Sequence, residues 1–88
     1  MNVYAIKDEV IGFTGSIFTA QNDEAVIRNM TATVNAGDGN QMELWPKDFS
    51  AWQVATQDKV TGEIKPCQPR LICRGDSLKR GERKEESK

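Results

Sequence analysis

Residues 16–37 read SIFTAQNDEAVIRNMTATVNAG, and the fold turns on how this stretch is parsed. Asn22 carries a side-chain oxygen that can accept a backbone N–H in a first helical turn, and Asp23 and Glu24 put negative charge where a helix dipole is positive. Val26, Ile27, Met30 and Val34 recur at three- and four-residue steps and so line one stripe. Gly37 can take the left-handed conformation that closes a helix. The stretch is therefore predicted to be a helix, with Ile17 and Phe18 packing beneath it as the chain enters. A single apolar stripe needs a surface to cover, and the rest of the chain reads as strands that supply one.

Towards the N-terminus, NVYAIK at 2–7 has β-branched and aromatic residues on both alternating faces, the pattern of an interior strand. DEVIGFTG at 8–15 carries two glycines and reads as a turn or loose loop, with Phe13 a core plug. Beyond the helix, AGDGNQ at 36–41 is a polar, glycine-rich connection and the expected mobile segment; because it closes a helix instead of following a strand, it is no phosphate loop. MELWPKDF at 42–49 cannot be a central strand because of Pro46, and is expected to form an irregular arm or short turn. Residues 49–59 return to alternation, with Trp52, Val54 and Thr56 on one face and Ala51, Gln53, Ala55 and Gln57 on the other. Thr61-Gly62 marks a tight turn into a second hairpin strand, and Pro66 and Pro69 confine that strand to an edge or break it. The expected fold class is α+β: one helix packed on a small antiparallel or mixed sheet in the order β-α-β-β, with room for a further short strand. Residues 1–75 form one domain and 76–88 a charged, flexible tail.

An 88-residue chain supports one thin core. No apolar run approaches the ~20 residues of a membrane span, and MNVYAIKDEV has no signal-peptide pattern, so no membrane partner is expected. The two cysteines, Cys67 and Cys73, then read as small hydrophobes without a disulfide. Histidine is absent, which removes the commonest metal ligand and general base; neither metal nor cofactor is expected, and no nucleophile has a visible base, so the chain is not expected to be an enzyme. Charge is uneven. Residues 1–58 hold three basic and eight acidic side chains, net −5, while residues 59–88 hold nine basic and five acidic, net +4.

The basic end can attract a polyanion. Arg70, Arg74, Lys79, Arg80, Arg83 and Lys84 could follow a phosphate backbone, or simply solvate a tail. Trp45, Lys47 and Phe49 form an aromatic-basic-aromatic run suited to stacking an unpaired base, although Trp45 or Phe49 filling the core under the hairpin is the stronger reading of the same residues. Arg28 reads as a surface charge paired with Glu24. Six aromatic residues over one helix leave apolar surface and strand edges that a second copy could cover, so a homo-oligomer is expected.

Taken together, NVYAIKDE, SIFTAQNDEAVIRNM, WPKDF and QDKVTGEIKP, followed by PRLI, resemble the small nonstructural protein of the icosahedral single-stranded-DNA bacteriophages, the microviruses of the gokushovirus group. The similarity covers about residues 2–73. Its most specific pieces are Phe18, Ala20, Asn22, Asp23, Ala25 and Arg28, and the turn Thr61, Gly62 and Ile64. The resemblance implies a nonstructural, DNA-binding protein of the host cytoplasm, acting in viral single-stranded DNA synthesis or genome packaging. Two function classes follow. One is a non-catalytic accessory that binds single-stranded DNA weakly and without sequence preference, through Trp45, Lys47 and the basic residues above. The other is an interaction module docking a viral or host replication or assembly protein.

Overall fold

A computed structural model describes residues 1–80. The predicted helix is present as α1, Asp23–Val34. Asn22 is extended and its side chain accepts from the Ala25 N–H at 2.9 Å, so the cap works as its chemistry requires. Val26, Met30 and Val34 are buried and Ile27 is half-buried, so the stripe is narrower than expected. Closure falls earlier than Gly37, at Asn35, whose side-chain amide donates to the Thr31 carbonyl at 2.8 Å.

The helix lies on a four-stranded antiparallel sheet in the order β2-β1-β3-β4, built from β1 (Asn2–Asp8), β2 (Gly12–Ala20), β3 (Phe49–Gln57) and β4 (Ile64–Arg74). The expected class, α+β, is the observed one, and β1 is interior as its two apolar faces required. The element order needs correction. Residues 12–20, read as a loop followed by helix entry, form β2 and pair back on β1. The cause is a bulge: Lys7 pairs with Phe13 and Ala5 with Ile17, leaving Thr14, Gly15 and Ser16 opposite Ile6 alone. Gly15 absorbs the surplus at φ +88°, and a glycine at this point inside the strand is what gives the stretch the look of a turn. Phe13 is accordingly not a core plug; it stands on the sheet face opposite the helix and is 46% exposed. A second irregularity at Val54 pairs Gln53 with Tyr4 but Ala55 with Val3, so Ala51 and Gln53 do not share a face with Ala55 as the simple alternation implied.

The expected hairpin is present. Asp58 accepts from the backbone N–H groups of Val60 and Thr61, and Gly62 turns the chain at φ +79°. Pro66 and Pro69 lie in β4, which is an edge strand, the place in a sheet where a residue without an N–H is tolerated. The core is Tyr4, Val26, Met30, Val34, Phe49 and Ala51, ringed by Ile6, Phe18, Met42, Ile72, Cys73 and Leu78. Burial contributes about 1.5–3 kcal/mol for each large apolar side chain in it.

The connection after α1 is tied down. The Glu43 carboxylate accepts from the backbone N–H of Gly37 and, at 2.7 Å, of Gly39. A single helical turn, α2 (Gln41–Leu44), and a 3-10 turn at Pro46–Asp48 occupy the segment read as an irregular arm or short turn. The chain is also ordered past Gly75. Residues 76–80, expected to begin a free tail, instead form the end of α3 (Gly75–Leu78) and a clasp on the C-terminus of α1. Asn35 Nδ2 donates to the Leu78 carbonyl at 2.9 Å, the Arg80 N–H to Asn35 Oδ1 at 2.9 Å, and Lys79 Nζ to the Val34 carbonyl at 2.9 Å. A cation on the last carbonyls of a helix is the favourable end for its dipole.

Candidate nucleic-acid interface

Helices α1, α2 and α3 all pack on one side of the sheet, through Val26, Met30, Met42 and Leu78. The other side carries no helix among the described residues. Opposed residues of antiparallel strands share a face, so the register places two rows across it. The first row is Phe13 on β2, Lys7 on β1, Ser50 on β3 and Arg74 on β4; the second is Ile17, Ala5, Trp52 and Leu71 in the same strand order.

At the junction of these rows the Lys7 ammonium lies 5.5 Å from the Trp52 ring centroid and 5.8 Å from that of Phe13. The two rings meet edge to face at 6.2 Å. Trp52 Nε1 donates to Ser50 Oγ at 2.8 Å, which fixes the orientation of the indole. Arg74 lies at the end of the first row, half-exposed, and its guanidinium approaches Glu9 at 3.8 Å. An aromatic pair with a cation over it, and a second cation in line, can stack a base while meeting phosphates. Ile17 and Leu71 extend the same face with exposed aliphatic surface.

Of the residues expected to contact DNA, Arg74 is the one that the register carries to this face. Trp45 and Lys47 are exposed but sit in the helical layer, at the end of α2 and in the 3-10 turn. Phe49, the other aromatic of that run, is core. Arg70 projects to the helix side. Its guanidinium grips both oxygens of Asp23, at 3.0 and 3.1 Å, and the side-chain oxygen Oε1 of Gln53 at 2.7 Å. Arg70 beside it, and then the Tyr4 hydroxyl donating at 2.8 Å, hold the Asp23 carboxyl below the usual carboxylate range. Burial is the main reason that the Tyr4 phenol is raised. Lys79 is committed to the C-terminal end of α1, and the backbone of Arg80 to Asn35. Because the 12 residues of α1 span roughly 18 Å, Arg70 and Lys79 stand at opposite ends of the helix and form no single basic track. Arg83 and Lys84 lie outside the described residues.

Lys7, Phe13 and Trp52 escaped the sequence reading as a group. Strand alternation puts Ala5 and Lys7 on one face, but the cross-strand register that gathers the three is not written in any one segment. Among the described residues no cluster of three or more His, Cys, Asp or Glu side chains could hold a metal ion, and no helix is long and apolar enough to cross a membrane.

A small α+β protein with one helical layer and one open, aromatic-basic sheet face is the class this geometry defines. The family model described as Phage ORF5 protein matches residues 1–78, and the chain belongs to that family, which makes it a bacteriophage protein. The matched range closes at Leu78, the last residue of α3. No curated protein and no solved structure matches the chain.

Proposed function

We propose that this phage protein is a non-catalytic, nonstructural accessory of the gokushovirus type. In this reading it acts in the host cytoplasm and binds single-stranded DNA during viral replication or genome packaging. The observation that carries the reading is the Lys7 ammonium over the Phe13 and Trp52 rings on the sheet face that carries no helix among the described residues, with Arg74 in the same row. Unpaired bases present flat apolar faces that such rings stack without regard to sequence, and the cations meet the phosphates between them. Binding is weak in this reading because Lys7 and Arg74 are the cations of the row, while residues 1–58 carry net −5.

A labelled oligonucleotide titrated at several salt concentrations tests it. With two phosphate contacts at about −0.7 each, the logarithm of affinity should fall against the logarithm of salt with a slope near −1.4. Lys7→Gln or Arg74→Gln should bring the slope to about −0.7. Trp52→Ala should weaken binding about 5- to 150-fold, the equivalent of ~1–3 kcal/mol per stacked base, and leave the slope unchanged. Undetectable binding at low salt, or binding indifferent to all three substitutions, sinks the proposal. A second reading, an interaction module for a viral or host replication or assembly protein, is favoured by the exposed Ile17 and Leu71 on the same face.

A further inference from the structure

The sheet ends in two edges, β2 and β4, and they differ in kind. β4 carries the devices that keep an edge from pairing: Pro66 and Pro69 lack N–H donors, and Lys65, Arg70 and Arg74 add charge. β2, GFTGSIFTA, has no proline and no charged residue. Its bulge is confined to Thr14–Ser16, and Ile17–Ala20 pairs with Asn2–Ala5 without interruption. Among the described residues no strand pairs with its outer side, so this regular run presents outward backbone N–H and C=O groups beside an Ile17 that is 63% exposed.

We infer that the outer edge of β2 pairs antiparallel with β2 of a second copy of this chain. A neutral strand has no charge with which to choose a different partner, and a net charge of −1 per chain puts little electrostatic cost on bringing two copies together. Pairing of β2 with itself is two-fold and closed, whereas β2 against β4 would propagate into an open filament, and the prolines of β4 oppose it. Residues that face each other must point to the same side of the sheet. A two-fold axis at Phe18 satisfies this, setting Ile17 of one copy opposite Thr19 of the other on the open face and Phe18 opposite Phe18 on the helix side. The axis stands perpendicular to the sheet, so the two open faces lie on the same side and the two Phe13–Lys7–Ser50–Arg74 rows become parts of one surface. The pairing does not rest on the DNA reading, and its test contains no DNA.

Sedimentation equilibrium of the full chain at micromolar concentration should give twice the 9.8 kDa of one chain. The double variant Ile17→Lys/Thr19→Lys, which alters two exposed positions, should sediment as a single chain while keeping the circular-dichroism spectrum of the parent. A parent protein at 9.8 kDa throughout, or a folded variant that remains paired, overturns the inference. Hydrogen exchange on the parent decides the matter even where the variant does not fold. Both the inward and the outward amides of Ile17–Ala20 should be protected, and the outward ones should lose protection on dilution. Outward amides that exchange fast at every concentration would refute the pairing.

Discussion

Replacing Gly75 with alanine tests whether the end of the domain is a clasp or a tail. A Cβ built on Gly75 would lie 2.3 Å from the Pro46 carbonyl oxygen, 3.1 Å from its carbonyl carbon and 3.2 Å from its Cα. These are backbone atoms, so no rotamer change relieves the clash, and ordinary contact requires α3 and the 3-10 turn to separate by roughly 1 Å. Overpacking of this sort costs about 1–3 kcal/mol. Separation also loosens Leu78 from the core and the bonds that Lys79, Arg80 and Asn35 make around the end of α1. Each of these bonds has a net worth of about 0.5–1.5 kcal/mol. Some of them would lengthen without breaking, so a loss of about 2 kcal/mol is expected, which lowers the Tm of a domain this small by roughly 8–16 °C. Thermal melting followed by circular dichroism reads the shift, and trypsin should cut sooner after Lys79 and Arg80. A Tm that moves by less than about 2 °C, with cleavage unchanged, would refute the reasoning.

Arg70→Gln should raise the titration of Asp23 towards its ordinary value and lower the Tm, while leaving the salt slope of any DNA binding unchanged, because the guanidinium faces Asp23 and Gln53 and not the open sheet; a flattened slope would return Arg70 to the binding surface. Stability should also fall in acid. The carboxyls of Asp23, Asp38 and Asp58 are all held below the ordinary value of 3.8. Groups depressed in the folded state stabilise it fully above their unfolded value and lose that contribution as pH falls through the folded one, so the Tm should be level down to about pH 5 and drop below about pH 4. Asp23→Asn should make the acid drop shallower, and an equally steep drop in that variant would remove Asp23 from the account.

Elements specified by short-range chemistry were legible. Asn22, Asp23 and Glu24 announce α1, the β-branched and aromatic content of residues 2–7 announces β1, and Thr61-Gly62 with Pro66 and Pro69 marks a hairpin whose return strand is an edge. What could not be read depends on longer-range geometry. β2 was hidden because Gly12 and Gly15 read as turn residues, whereas the pairing that makes the stretch a strand, with its surplus at Thr14–Ser16, exists only against β1. Arg70 meets Asp23 across 47 positions of chain, a contact that no local pattern encodes. The clasp at residues 76–80 rests on one leucine, one lysine and the space left by Gly75, too little apolar content to stand out from a charged tail. The candidate site was missed for the same reason as β2: three residues from three strands become neighbours only once the register is known.

The chain's two tryptophans lie on different sides of the sheet, and this gives the protein built-in optical probes. Trp45 is 55% exposed in the helical layer. Trp52 sits on the open face, its indole N–H bonded to Ser50 and its ring against the Lys7 ammonium and the Phe13 edge. Their emission should therefore differ in wavelength and in access to dissolved quenchers. With Trp45 replaced by phenylalanine, all remaining indole fluorescence would come from the open face, so whatever settles there would register as a change in colour or intensity without any attached dye.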